Sequence, residues 1–104
     1  MKKIAIVTVN YNGKEDTLEF LKSLKFLKNE KLDIKTIVVD NGSSDGSVRA
    51  IREEKGPVDL SSREVEIIQT GANLGFSGGY NKGIEYGQIW GADYFLIFDL
   101  KPPI

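Results

Sequence analysis

The run Ile4-Ala5-Ile6-Val7-Thr8-Val9 constrains this chain more than any other stretch, because every position is apolar or β-branched. A strand sends successive side chains to opposite faces, so a strand of this composition has to be covered on both. Lys35-Thr36-Ile37-Val38-Val39 and Tyr94-Phe95-Leu96-Ile97-Phe98 read the same way, while Val65-Glu66-Ile67-Ile68-Gln69 alternates and belongs nearer an edge. The cover has to come from the segments between. Lys14 to Lys28 puts Leu18, Leu21, Leu24 and Leu27, with Phe20 beside them, on one helical stripe. Ser44 or Asp45 is a fitting N-cap for a second helix holding Val48 and Ile51. A third helix runs to about Trp90, and Lys55 to Arg63, with Gly56 and Pro57, reads as loop. Strands thus alternate with helices, which predicts a three-layer α/β/α fold around a mostly parallel sheet with right-handed crossovers. The chain has no internal repeat and reads as one domain over residues 1–104.

Composition then removes whole kinds of chemistry. The chain contains no cysteine and no histidine, which excludes disulfides, thiol nucleophiles, the usual zinc sites and a histidine general base. What remains is carboxylates, backbone amides, phenols and an oxygen-ligated metal. A net charge of −1 without any basic block argues against nucleic acid as a partner. The apolar runs fall far short of the roughly 20 residues of a membrane-spanning helix. MKKIAIVTVN lacks both the length and the small-residue cleavage site of a signal peptide. The expectation is a cytoplasmic protein with no membrane span.

In a parallel α/β sheet the strand-to-helix loops emerge at the carboxyl edge, and ligands bind there at the switch in strand order. The unusual residues collect on those loops. Asn10-Tyr11-Asn12-Gly13 follows the first strand, and Asp40-Asn41-Gly42-Ser43-Ser44-Asp45 follows the second. NLGFSGGYNKG, residues 73–83, follows the third, and Asp99 ends the fourth. Taken singly, most of these are equally served by turn chemistry: an Asx-turn at Asp40, a cap at Asp45, Tyr11 packed over the sheet end, a turn at Asn12-Gly13, a solvated Asp99. The glycines are harder to dismiss, since each costs about 1 kcal/mol against alanine inside a helix. Gly71, Gly75, Gly78 and Gly79 have the spacing of neither a dinucleotide fingerprint nor a P-loop. Glycines at a helix start, where amides and the helix dipole favour anions, suit a diphosphate lying against the backbone.

Together, VTVNYNG, VVDNGSSDGS, NLGFSGGYNKGI and ADYFLIFD resemble, in order and spacing, the nucleotide-binding half of inverting family 2 glycosyltransferases of the GT-A fold. The resemblance covers essentially the whole chain. The glycine string is most similar to the rhamnosyltransferase-like branch, which uses dTDP-rhamnose or related nucleotide sugars. The resemblance implies a Rossmann-like sheet of order 3-2-1-4 and a dTDP- or UDP-sugar donor, with transfer to a saccharide or lipid-linked acceptor. It implies that Tyr11, with the backbone around Val9 and Asn10, packs against the base. Asp40, beside Asn41, would accept a hydrogen bond from the imide N–H of uracil or thymine, a charge-assisted pairing. Asn73, Gly75, Gly79 and Asn81 would shape the pocket floor near the ribose and diphosphate.

Two departures accompany the resemblance. The family's D-x-D-like motif, whose carboxylates bind Mg²⁺ or Mn²⁺, reads here Phe98-Asp99-Leu100-Lys101. Asp99 stands for the first acid, whereas Lys101 replaces the second and repels a cation. The chain then reaches Ile104 about where the family's acceptor half, with its carboxylate general base, would begin. The expectation is a donor-binding half with no catalytic residue of its own; the alternative is a non-catalytic nucleotide- or partner-binding module. Tyr94 to Phe98 is then expected as an open apolar edge that pairs with its antiparallel copy in a homodimer.

Overall fold

The computed structural model describes residues 1–24, 31–55 and 65–100, except for the side chains of residues 54 and 55. The elements run β1 (Lys2–Asn10), α1 (Lys14–Leu24), β2 (Leu32–Asp40), α2 (Ser47–Lys55), β3 (Val65–Gln69), α3 (Gly75–Trp90) and β4 (Tyr94–Phe98). The four strands form one parallel sheet in the order β3-β2-β1-β4, as the sequence implied. β1 and β2 are longer than their apolar runs, the ladder continuing through Lys2 beside Leu32 and Lys3 beside Asp33. The expected extension of α1 to Lys28, the loop after Lys55 and Lys101 lie outside the described residues.

Both faces of β1 are covered. Ala5, Val7 and Val9 join Ile37 and Val39 of β2 on one face, under Tyr80, Tyr86 and Trp90 of α3. On the other face Val38 packs with Leu21 of α1 and Ile51 of α2. Burying each such side chain contributes about 1.5–3 kcal/mol. The edges behave differently: among the described residues β4 pairs with β1 alone, and Tyr94, Leu96, Ile97 and Phe98 stay exposed. No helix among the described residues is long and apolar enough to cross a membrane.

Helix α3 lies on the sheet through Gly79, Gly83 and Gly87, which share one helical face at a spacing of four. A Cβ on any of them would come within 3.0 Å of the sheet: Gly79 against Val9, Gly83 against Val7, Gly87 against the Phe95 ring. Gly91 ends the helix in the left-handed region at φ +96°, its N–H bonded to the carbonyls of Gly87 and Gln88.

Candidate functional site

Three loops at the carboxyl edge are braced against one another by side chains from the strand ends. Asn10 is buried, and its Nδ2 donates to Asp40 Oδ1 at 2.8 Å and to Ser43 Oγ at 3.0 Å. Its Oδ1 accepts from the Thr17 hydroxyl on α1 at 2.7 Å. Asp40 is 3% exposed, and its carboxylate also accepts the Ser43 hydroxyl at 2.7 Å and the Ser43 N–H at 3.0 Å. Asn12, held at φ +51°, donates its N–H to Ser43 Oγ and accepts the Ser44 N–H on its own Oδ1. Asparagine tolerates this left-handed conformation better than most residues. On the opposite face, Asn41 is buried and its Nδ2 donates to the Gly75 carbonyl at 2.8 Å, tying the β2 end to the start of α3.

Asp45 serves the starts of two helices. Its carboxylate accepts the Lys14 N–H at 3.1 Å, and the Ser47 N–H at 3.0 Å together with the Ser47 hydroxyl. Burial pushes this carboxyl up, but the hydrogen bonds from Ser47 and Lys14 outweigh it and hold the group below the usual carboxylate range.

Above this bracing lies a cleft of about 320 Å³, lined by Val9, Asn10 and Tyr11 of β1 and its loop, Asp16 and Thr17 of α1, Phe76 of α3 and Leu100 beyond β4. In the order 3-2-1-4, the direction of progression reverses between β1 and β4. The cleft therefore sits at the switch point, where ligands of open α/β sheets bind. Tyr11 and Phe76 are 48% and 40% exposed, so two aromatic rings reach the surface at the cleft. Tyr80 stacks on Phe76 with ring centroids 6.5 Å apart. Burial first, and then the charge of Asp99, raise the phenol of Tyr80 above its ordinary range.

Of the residues singled out in the sequence, Val9, Asn10 and Tyr11 meet in this cleft. Asp40 and Asn41 lie in the bracing around it. Asn73 is exposed and accepts the Gly75 N–H at 2.9 Å, while Gly75 turns the chain into α3 at φ +72°. Asn81 is exposed on α3. Gly79 faces Val9 and Asn41, so its missing side chain is required by the packing of helix on sheet. Sequence reasoning passed over Thr17, Phe76 and Leu100. Thr17 carried a readable signal: it stands four residues before Leu21, a polar group on an otherwise apolar stripe.

Asp99 is exposed at the end of β4, one residue before the cleft wall at Leu100. Among the described residues no group of three His, Cys, Asp or Glu side chains could hold a metal. A single carboxylate suits a Mg²⁺-like cation only when substrate phosphates and water supply the other ligands. Asp99 thus fits a cation shared with a diphosphate and does not form a metal cage in advance.

The profile of Glycosyl transferase family 2 matches residues 5–100. A search of curated proteins finds no match. Among solved structures, the chain is similar to a mannosyltransferase from Pyrobaculum calidifontis in complex with GDP-Man and Mn²⁺, with a TM-score of 0.66 and 19% identity. The likeness covers 80% of this chain and 24% of that one. It is a likeness of fold, in accord with the parallel α/β sheet of order β3-β2-β1-β4. With the family profile running from β1 to the residue after Asp99, the chain belongs to glycosyl transferase family 2.

Proposed function

We propose that the cleft between the ends of β1 and β4 binds the nucleotide of a nucleotide-sugar donor, with the base against Tyr11 and Phe76. The observation that carries this reading is an aromatic-walled cleft at the topological switch point. The proposed donor is dTDP- or UDP-linked, as in the rhamnosyltransferase-like branch. Asp40 is proposed to serve such a base through its Oδ2, which accepts the Ser43 N–H and has capacity for one further donor. The GDP-Man bound to the similar structure favours a second reading, a guanine nucleotide. Asn73, Gly75 and Asn81 fall to the ribose and diphosphate side, and Asp99 to a cation carried by the diphosphate. Thr17 and Ser43 hold the loops in place around the base.

The reading assigns the 104-residue chain donor binding without sugar transfer, and gives no carboxylate among the described residues a general-base role. It also takes the chain to be cytoplasmic, and to be a homodimer through antiparallel pairing of the exposed β4 edge.

Calorimetric titration with dTDP, UDP, GDP and ADP tests the reading. Binding is expected, with a preference among bases, and Tyr11→Ala and Phe76→Ala should each weaken it by roughly 1–3 kcal/mol, the scale of one base–aromatic contact. A preference for GDP selects the second reading. Equal affinity for all four would remove base recognition, and sugar transfer by the purified chain would refute the assignment of binding alone.

A further inference from the structure

The hydroxyl of Tyr80 donates to the Phe98 carbonyl at 2.9 Å, and the hydroxyl of Thr8 donates to the same oxygen at 2.9 Å. The two donors approach from opposite sides of the sheet. Thr8 shares its face with Val38, its partner in register, which packs under α1 and α2. Tyr80 packs with Val7 and Val9 on the α3 face. Phe98 is the last residue of β4, and among the described residues β4 has a neighbouring strand on one side only. The end of such a strand opens more readily than the centre of a sheet, because one ladder holds it where two hold an inner strand. Here two side chains grip it. The next two residues are Asp99 and Leu100, the carboxylate beside the cleft and one of the cleft's walls.

A half-buried phenol needs an acceptor in any case. What distinguishes Tyr80 is which acceptor it takes: the one carbonyl whose position fixes where Asp99 begins. Its ring meanwhile stacks on Phe76, on another wall of the cleft. We propose that Tyr80 is a positioning residue of the donor site, holding the Phe98 carbonyl so that Asp99 and Leu100 stand where the diphosphate end of a nucleotide is gripped. The base end is left untouched. This rests on the reading of the cleft as a nucleotide site.

Tyr80→Phe in the full chain keeps the ring on Phe76 and removes only the hydroxyl. Without ligand, amide exchange followed by NMR is expected to speed up about three- to tenfold at Asp99 and Leu100, the scale of one hydrogen bond, with β1 and β2 unchanged. Unchanged exchange at both residues overturns the proposal. Calorimetry then compares UDP with uridine, and GDP with guanosine, in the presence and absence of Mn²⁺. The diphosphates are expected to bind about three- to tenfold more weakly in Mn²⁺, the nucleosides equally well. An equal loss for nucleoside and diphosphate, or a loss that follows global stability in urea, marks a merely structural role and overturns it. If the unsubstituted protein binds no nucleotide, the donor reading falls and the proposal with it. If it binds and Tyr80→Phe shows no diphosphate-specific loss, the proposal falls alone.

Discussion

Gly83→Ala sets two effects of known size against each other. In a helix interior alanine is favoured over glycine by about 1 kcal/mol, so on a solvated face the change would stabilise. Gly83 is buried, and a Cβ there would overlap Val7 Cγ1 and stand 3.1 Å from Val39 Cγ2. Both valines are fully buried in the core under α3. Branched at Cβ, they are stiff and have no long stem along which to swing away. Either a valine leaves its rotamer, at about 0.5–1.5 kcal/mol, or α3 lifts off the sheet. Overpacking of this kind costs about 1–3 kcal/mol. With two immobile neighbours the upper end applies, and subtracting the propensity gain leaves a net loss of about 2 kcal/mol.

Urea unfolding followed by far-UV circular dichroism measures this, with Gly87→Ala as the control. At Gly87 the added Cβ meets the far edge of the half-buried Phe95 ring on an edge strand, and stands 3.2 Å from the Cβ of buried Ala5. With only one stiff neighbour, the net loss there should be smaller than at Gly83. Val7→Ala opens space at Gly83, so the Val7→Ala/Gly83→Ala pair should lose about 1–2 kcal/mol less than the sum of its parts. A stabilised Gly83→Ala, an equal loss at Gly87, or strict additivity with Val7→Ala would refute the packing argument.

Asp40→Ala removes the acceptor for Asn10 Nδ2 and for both donors of Ser43; a loss of about 2–4 kcal/mol in urea is expected, and a loss below about 0.5 kcal/mol would mean the loops are held by something else. Asp45 has its folded-state carboxyl below the ordinary 3.8, with burial raising it and the hydrogen bonds from Ser47 and Lys14 lowering it further. Its contribution is therefore complete above the unfolded value and is lost as pH falls through the folded one, so the stability gap to Asp45→Asn should close below about pH 4; a gap that widens toward acid would reverse the sign. Leu96→Lys on the exposed edge should convert a dimer to monomer in sedimentation velocity, and a monomeric parent protein at high concentration would end the edge-pairing proposal.

The two covered faces of β1 were legible because an apolar run with no polar side has only one way to be buried, whereas the strand order came only with the family resemblance of the loop motifs. The edge position of β3 was legible in its alternation, but that of β4 was not: its uniform apolar run read as covered on both faces, and it lies at the other edge with Tyr94, Leu96, Ile97 and Phe98 exposed. The role of Asp40 was legible only as a pair of alternatives. A carboxylate before Asn-Gly suits a turn or a ligand equally well, and its bond with the Ser43 N–H is that turn, whatever else its Oδ2 receives. Asn10 gave less away, since its partners on α1 and the β2 loop lie 7 to 33 residues off in sequence. Phe76 was hidden by composition: an aromatic among glycines at a helix start is a wall only once Leu100 is brought opposite it.

The glycines carry the larger lesson. Read along the chain they suggested a backbone kept bare for a nucleotide. In the fold, Gly79, Gly83 and Gly87 are bare toward the sheet, whereas Gly71 and Gly75, at φ +79° and +72° with open space where a Cβ would stand, turn the chain outward. The two uses are linked through Gly79. Its missing Cβ leaves room for Val9 and for Asn41 Nδ2, and that same amide holds the Gly75 carbonyl at 2.8 Å. Because α3 can settle so low on β1, its first turn arrives beside the ends of β1 and β4, bringing Phe76 to face Tyr11 across the switch point. A helix held a methyl group higher would lose the Asn41 bond and carry Phe76 away from the cleft. The glycines therefore shape the site through the helix they allow to descend, independently of whether any ligand atom touches them.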